Sequence, residues 1–170
     1  MAIRTFRGLT PRLGERVFVA DYAAVIGDVE IGHDSSIWYG TVVRGDSMPI
    51  RIGAETSIQD NSVIHVTSGV AGTTVGDRVT VGHRVILHAC VIEDECTIGM
   101  GAIVLDGARV GKGSLVGAGA LITPGTQIPP GSLVLGAPAR VKRPTTDDER
   151  ANIRASAAHY VELTRAYLEM

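Results

Sequence analysis

Aromatic residues make up only 4% of this 170-residue chain, although 45% of it is hydrophobic. The interior must therefore come from Val, Ile, Leu and Ala, and a core organised around stacked rings is excluded. Cysteine is scarce too. Cys90 and Cys96 are the two present, and they lack a CxxC spacing, so neither a disulfide framework nor a thiolate zinc site is suggested. No sign of charge dominates: 16 Lys and Arg stand against 18 Asp and Glu, a formal net charge of −2. That gives no bulk electrostatic reason to expect a nucleic acid or an anionic membrane as partner. No stretch approaches the roughly 18 uninterrupted apolar residues of a membrane span. The opening Met1-Ala2-Ile3-Arg4-Thr5-Phe6-Arg7 has no apolar run of signal-peptide length. A one-domain, soluble, cytoplasmic protein is expected.

Glycine is abundant, with 21 residues, and its placement is regular. Stepping by six from Leu13 meets Val19, Val25, Ile31, Ile37 and Val43. After a skip come Ile52, Ile58 and Ile64, and after a longer one Val75, Val81 and Leu87. With one residue lost, the series continues through Ile92, Ile98, Val104, Val110, Val116, Ile122, Ile128 and Val134. All of these anchors are Leu, Ile or Val. Four residues on sits something small or β-branched, as at Ala23, Ser35, Thr41, Thr56, Ser62, Val85, Val91, Cys96 and Ala102. Glycine often follows the anchor directly, as at Gly32, Gly53, Gly76, Gly82, Gly99, Gly111 and Gly117, where freedom of backbone conformation is the expected reason.

A step of six fits neither the 3.6 of a helix nor the 2 of a simple strand. It fits a short strand plus a turn, three units to a triangular coil, with coils stacked at about the 4.8 Å spacing of paired strands. Each coil's apolar side is covered only by its neighbours. The expected architecture is all-β: a parallel β-helix over 13–140, preceded by an N-terminal segment 1–12. Thr146-Asp147-Asp148-Glu149 reads as a capping box. Ile153, Ala157, Tyr160, Val161, Thr164, Tyr167 and Leu168 then recur at helical spacing, so a C-terminal helix of about 145–169 should pack on the β-helix or on a neighbouring subunit.

On one face of the coils the residue after the anchor is Arg44, then His65, then His88. These stack in an outward column, with His65 and His88 about one strand spacing apart, which suits two ligands of one metal. His83, two residues past Val81, falls on another face of its coil and could hardly reach that pair in its own subunit. A threefold assembly would bring a neighbour's His83 to it. Three histidines plus an open position is the make-up of a catalytic zinc site. His33 reads as a surface residue and His159 as solvent-facing or structural. Cys96 occupies a small inward slot and Cys90 a place near a corner, both suited to packing.

The repeat, with Arg44-Gly45-Asp46, Gln59-Asp60-Asn61-Ser62-Val63-Ile64-His65 and Gly82-His83-Arg84-Val85-Ile86-Leu87-His88, resembles the γ-class carbonic anhydrase family, in its short-loop branch. The resemblance covers nearly the whole chain. It implies a left-handed coil of hexapeptide repeats and a homotrimer with metal between subunits, His65 and His88 from one chain and His83 from the next. The metal implied is Zn²⁺, with Co²⁺ or Fe²⁺ also suited to imidazole. The activity implied is hydration of carbon dioxide to bicarbonate by zinc-held hydroxide. Arg44 and Asp60 match an intersubunit salt bridge, Gln59 matches a glutamine that hydrogen-bonds the metal-bound water, and Tyr160 matches a tyrosine overhanging the metal. Gln59 is expected to be exposed. Ser47 stands where well-known members carry a catalytic glutamate, and the loop Val66–Thr74 has no carboxylate. Hydration is therefore expected to be weak; the alternatives are a non-enzymatic metal-stapled trimer or accessory protein, and a hexapeptide acyltransferase or thioesterase acting on CoA esters.

Overall fold

Nineteen of the twenty anchors are buried, and Leu13 packs partly buried against them. Strand register sorts them into three columns in the computed structural model, which describes residues 2–170. Leu13, Ile31, Ile52, Val75, Ile92, Val110 and Ile128 stack on the first face. Val19, Ile37, Ile58, Val81, Ile98, Val116 and Val134 stack on the second. Val25, Val43, Ile64, Leu87, Val104 and Ile122 stack on the third. Coil-to-coil pairing is parallel throughout, and the whole is a left-handed β-helix with one C-terminal helix. Ala2–Arg4 adds a further parallel strand to the third face, with Ile3 opposite Val25.

The strands Ala24–Ile31 and Val42–Ile52 run unbroken round a corner and join the first and third faces into one sheet. A six-residue step does not foresee them. They arise where the extra residues between Val43 and Ile52 are taken up by a register shift beside Gly27. Where the series loses a residue, Cys90 fills the buried corner slot and Val91 turns partly outward, so the position assigned above to Val91 belongs to Cys90.

Corner hydroxyls tie coil to coil. Ser35 donates to the carbonyl of Gly53 at 2.8 Å, Thr41 to that of Gln59 at 2.8 Å, Thr56 to that of Gly76 at 2.8 Å and Ser62 to that of Gly82 at 3.0 Å. Among the described residues no buried side-chain polar atom lacks a partner, as burial of such atoms demands.

The glycines after the anchors serve another purpose than the expected one. Gly32 is not in the left-handed region; a Cβ there would lie 2.5 Å from the nitrogen of Ala54 and 2.6 Å from the carbonyl carbon of Gly53. Close approach of successive coils is what excludes a side chain. The left-handed backbone occurs two residues later, at the third position past the anchor, where Gly119 has φ 66° and Asn61, Asp34 and Arg84 also adopt it.

Helix α1 spans Asp147–Leu168. The capping box is present: the Thr146 hydroxyl accepts from the Glu149 N–H, and the Glu149 carboxylate accepts from the Thr146 N–H. The helix lies across the second face, burying Ile153, Ala157 and Thr164. Trp38, whose indole N–H donates to Ser36 and Ser57, packs edge-on against Tyr160 and Tyr167. Near the last turn, Arg165 approaches buried Asp34, which also holds Arg16 and His33.

The outward residue before each anchor distinguishes the faces. The first face shows mainly polar side chains, among them Arg12, Glu30, Arg51, Thr74, Arg109 and Gln127. On the second, Ser36, Ser57 and Thr80 lie buried along the path of α1. The third shows Val42, Val63, Ile86, Ile103 and Leu121 in one line, with Val63 and Ile86 39% and 37% exposed.

Candidate metal centre

Arg44, His65 and His88 form the expected column beside that apolar line. His65 pairs directly with His88 in the sheet register, and Arg44 stands one coil before them. The strands aim both imidazoles outward, and they meet: His65 Nδ1 lies 3.2 Å from His88 Nε2, with ring centroids 5.2 Å apart. Two imidazole nitrogens bound to one tetrahedral metal at ~2.0–2.1 Å stand about 3.3 Å apart. The pair is therefore already spaced as two corners of such a site.

Each ring's other nitrogen meets a carboxylate. His65 Nε2 is 3.1 Å from Asp46 Oδ1, and His88 Nδ1 is 2.7 Å from Asp106 Oδ1. Such contacts hold a ligating imidazole in orientation and raise its basicity. Asp46 also accepts from Arg44, and Asp106 from the Thr67 hydroxyl. Burial alone would push the Asp46 carboxyl up, but hydrogen bonds from His65 and Arg44 together hold it below its ordinary value. Asp106 is likewise held low, chiefly by the Thr67 hydroxyl and then by His88. Sequence reasoning quoted Asp46 without giving it a role and missed Asp106 and Thr67. Asp106 was legible in principle: it lies two residues past the anchor Val104, one coil beyond His88 and one position past Leu105, which continues the column.

The remaining candidates gather at a different corner. Gln59, His83 and Tyr160 line a cleft of about 270 Å³ between the second face and α1. Asp60 sits with them, its Oδ2 2.8 Å from His83 Nδ1. Gln59 is 5% exposed, which corrects the expectation that it is exposed: α1 folds over its face and brings Tyr160 against it. Burial raises the Tyr160 phenol above its ordinary pKa, the charge of Asp60 adds to this, and a hydrogen bond with Gln59 acts the other way. Within the chain Arg44 pairs with Asp46 and Asp60 with His83, so no Arg44–Asp60 contact is made inside one subunit. Among the described residues no three His, Cys, Asp or Glu side chains of one chain surround a point where a metal ion could sit. The chain thus carries two parts, a histidine pair with its carboxylates on the third face and a lone histidine with Gln59 and Tyr160 at the second-face corner. His33 and His159 are exposed and belong to neither.

Comparison with known proteins gives a consistent frame. Residues 10–45 and 89–124 match the bacterial transferase hexapeptide (six repeats) family, and residues 49–87 match the hexapeptide repeat of succinyl-transferase. Protein YrdA of Escherichia coli is 42% identical over 98% of this chain and 94% of its own. "Probable carbonic anhydrase" of Methanocaldococcus jannaschii is 44% identical over 89% of this chain and 95% of its own. Gamma carbonic anhydrase 1, mitochondrial, of Arabidopsis thaliana is 49% identical over 92% of this chain and 59% of its own. Among solved structures, a hexapeptide transferase family protein from Anaplasma phagocytophilum superposes with a TM-score of 0.93 at 42% identity, covering 98% of each chain.

Proposed function

The chain belongs to the γ-class carbonic anhydrase family of hexapeptide-repeat proteins, and from that premise we propose that it hydrates carbon dioxide to bicarbonate at a divalent metal, Zn²⁺ foremost, shared between subunits of a homotrimer. The observation that carries the reading is the His65–His88 pair, 3.2 Å apart and braced by Asp46 and Asp106, beside an apolar line in which Val63 and Ile86 are exposed. His65 and His88 would hold the metal from one chain, and His83 of a second chain would complete three imidazole ligands. Bound there, a divalent metal would supply a water acidified to near neutral pH.

The chain's own residues then have separable tasks. Asp46 and Asp106 hold the two imidazoles in orientation. Gln59 and Tyr160, arriving beside His83, would offer hydrogen bonds to oxygen atoms at the reacting centre. The line Val42, Val63, Ile86, Ile103 and Leu121 would be buried between subunits, and exposed apolar lines of this kind mark contact surfaces. Arg44 and Asp60, each at the edge of its own part, would meet across that contact. Ser47 is exposed and Val66–Thr74 carries no carboxylate, so proton removal would fall to solvent or buffer and turnover would be slow.

The test is metal content per chain, carbon dioxide hydration and sedimentation on one preparation purified without an affinity tag. About one divalent metal per chain, hydration above buffer and a trimeric mass support the reading. A trimer whose metal gives no hydration assigns the metal a stapling role instead. Absence of metal after Zn²⁺ is offered overturns the three-histidine site and favours transfer from CoA esters. His88→Ala should abolish metal binding and leave the coils folded.

A further inference from the structure

Six side chains form one unbroken hydrogen-bonded string on the third face: Thr67, Asp106, His88, His65, Asp46 and Arg44. Its two ends differ. Arg44 and Asp46 lie in the strand Val42–Ile52, where Arg44 pairs with Ile26 and its guanidinium donates to Asp46, two residues on in the same strand. Asp106 lies in a turn beyond the strand Ile103–Val104 and is 40% exposed in its side chain, so pairing does not fix its carboxylate. Its two oxygens are divided: Oδ1 meets His88 Nδ1 and Oδ2 accepts from Thr67. Thr67 opens a tight loop in which its N–H and C=O both bond Ala71 and whose tip, Val70, is 72% exposed.

We propose that Asp106 is a positioning residue for metal binding by His88, and that the loop beginning at Thr67 sets the orientation of Asp106, so that this loop tunes metal affinity without touching the metal. The inference rests on the metal site proposed above. The physical argument concerns rotation. A carboxylate on an exposed turn has free torsions, and a partner on only one oxygen leaves it free to swing away. A second hydrogen bond, from a loop closed on itself, removes that freedom. His88 then presents Nε2 towards His65, because Nδ1 is engaged. His65 needs no such loop, since Asp46 is held by Arg44 of its own strand.

The test compares wild type, Asp106→Ala, Asp106→Asn, Thr67→Val and the Thr67→Val/Asp106→Ala double variant. Zn²⁺ affinity is read by competition with a chromophoric chelator, and the Co²⁺ absorption spectrum reports ligand geometry. Asp106→Ala should weaken Zn²⁺ binding by about ten- to a hundredfold and change the Co²⁺ bands, as loss of a ligand's partner does elsewhere. Asp106→Asn, which keeps an acceptor oxygen, should recover part of that loss, and the thermal midpoint of the metal-free protein should fall little, because the Asp106 side chain is 40% exposed. Thr67→Val should lose less than Asp106→Ala, and the double variant should bind no more weakly than Asp106→Ala alone, because Thr67 acts through Asp106. Wild-type affinity in both Asp106 variants overturns the role of Asp106 and leaves the metal site standing. A double variant weakened by the product of the single effects overturns the role of the loop. A wild-type protein that takes up no Zn²⁺ or Co²⁺ overturns the metal reading itself.

Discussion

Replacing Gly32 by alanine should be among the most damaging single changes in the molecule, although it adds one methyl group. The new Cβ would stand 2.5, 2.6 and 2.8 Å from three backbone atoms of the next coil. Backbone cannot rotate away as a side chain can, so the coils must part by about half an ångström or more. The inter-coil bonds nearest the site are Gly32 N–H to Ile52 C=O at 2.8 Å and Glu55 N–H to His33 C=O at 2.9 Å. Stretching two such bonds costs about 1–3 kcal/mol together, and overpacking adds about 1–3 kcal/mol, so about 2–6 kcal/mol is expected. Gly119 provides the contrast. A Cβ there meets nothing within 4 Å, but φ is 66°. The left-handed penalty of about 1–2 kcal/mol is partly offset by about 0.4–1 kcal/mol from a stiffer unfolded chain, so Gly119→Ala should cost about 1 kcal/mol. Gly117 falls between, because its Cβ would meet only the movable end of Leu135 at 2.4 Å. Asparagine separates the causes: Gly119→Asn should be milder than Gly119→Ala, since Asn61 adopts the same corner conformation, whereas Gly32→Asn should be at least as harmful as Gly32→Ala. Urea unfolding followed by circular dichroism measures the series. A Gly32→Ala protein no less stable than Gly119→Ala would refute the close-approach argument.

Other outcomes are expected from single features. Burial pushes the Cys90 and Cys96 thiols up to about 12, so neither should react with a thiol reagent at pH 8 in the folded protein, and both should react in denaturant; fast labelling of either when folded would contradict the packing. The hydrogen bond from Arg16 holds the Asp34 carboxyl well below its ordinary value, more than offsetting burial. The folded pKa is depressed, so the stability it confers is present above about pH 4, the unfolded value, and is lost as pH falls towards the folded value. Asp34→Asn should therefore be less stable at neutral pH and show a flatter decline below pH 4, as seen in thermal melts across pH; an identical acid limb would exclude Asp34 as its source. Thr146→Ala should destabilise the docked helix by about 1 kcal/mol through loss of the N-cap, with faster amide exchange in the first turn of α1; unchanged exchange there would argue against it.

The anchors were legible because every coil repeats the same demand for one large inward side chain, so register followed from counting. The helix start was legible because Thr146 and Glu149 satisfy each other locally, and the expected 145–169 differs from Asp147–Leu168 only at its ends. Corner-turning strands were hidden because Gly27 and the extra residues after Val43 act through a neighbouring coil. The glycine assignment failed for the same reason: Gly32 meets its obstacle 22 residues later in the chain, at Ala54. The histidine column could be counted, and it was found where expected. Burial of Gln59 could not, since it depends on where α1 comes to rest a hundred residues on.

The strand Ala139–Pro144 turns back antiparallel on Ser132–Gly136, with a bulge at Leu133 and Val134. Every other inter-coil pairing is parallel, so a stack of this kind has no intrinsic reason to stop, and another chain's coil would serve as its next layer. The reversed strand occupies the outgoing edge of the second face with a partner of the wrong direction, ending in a proline that offers no donor. It would block a further parallel coil from pairing at that edge. A protein truncated after Gly136 would keep most of its core and expose that edge, and its characteristic failure should be end-to-end assembly into filaments.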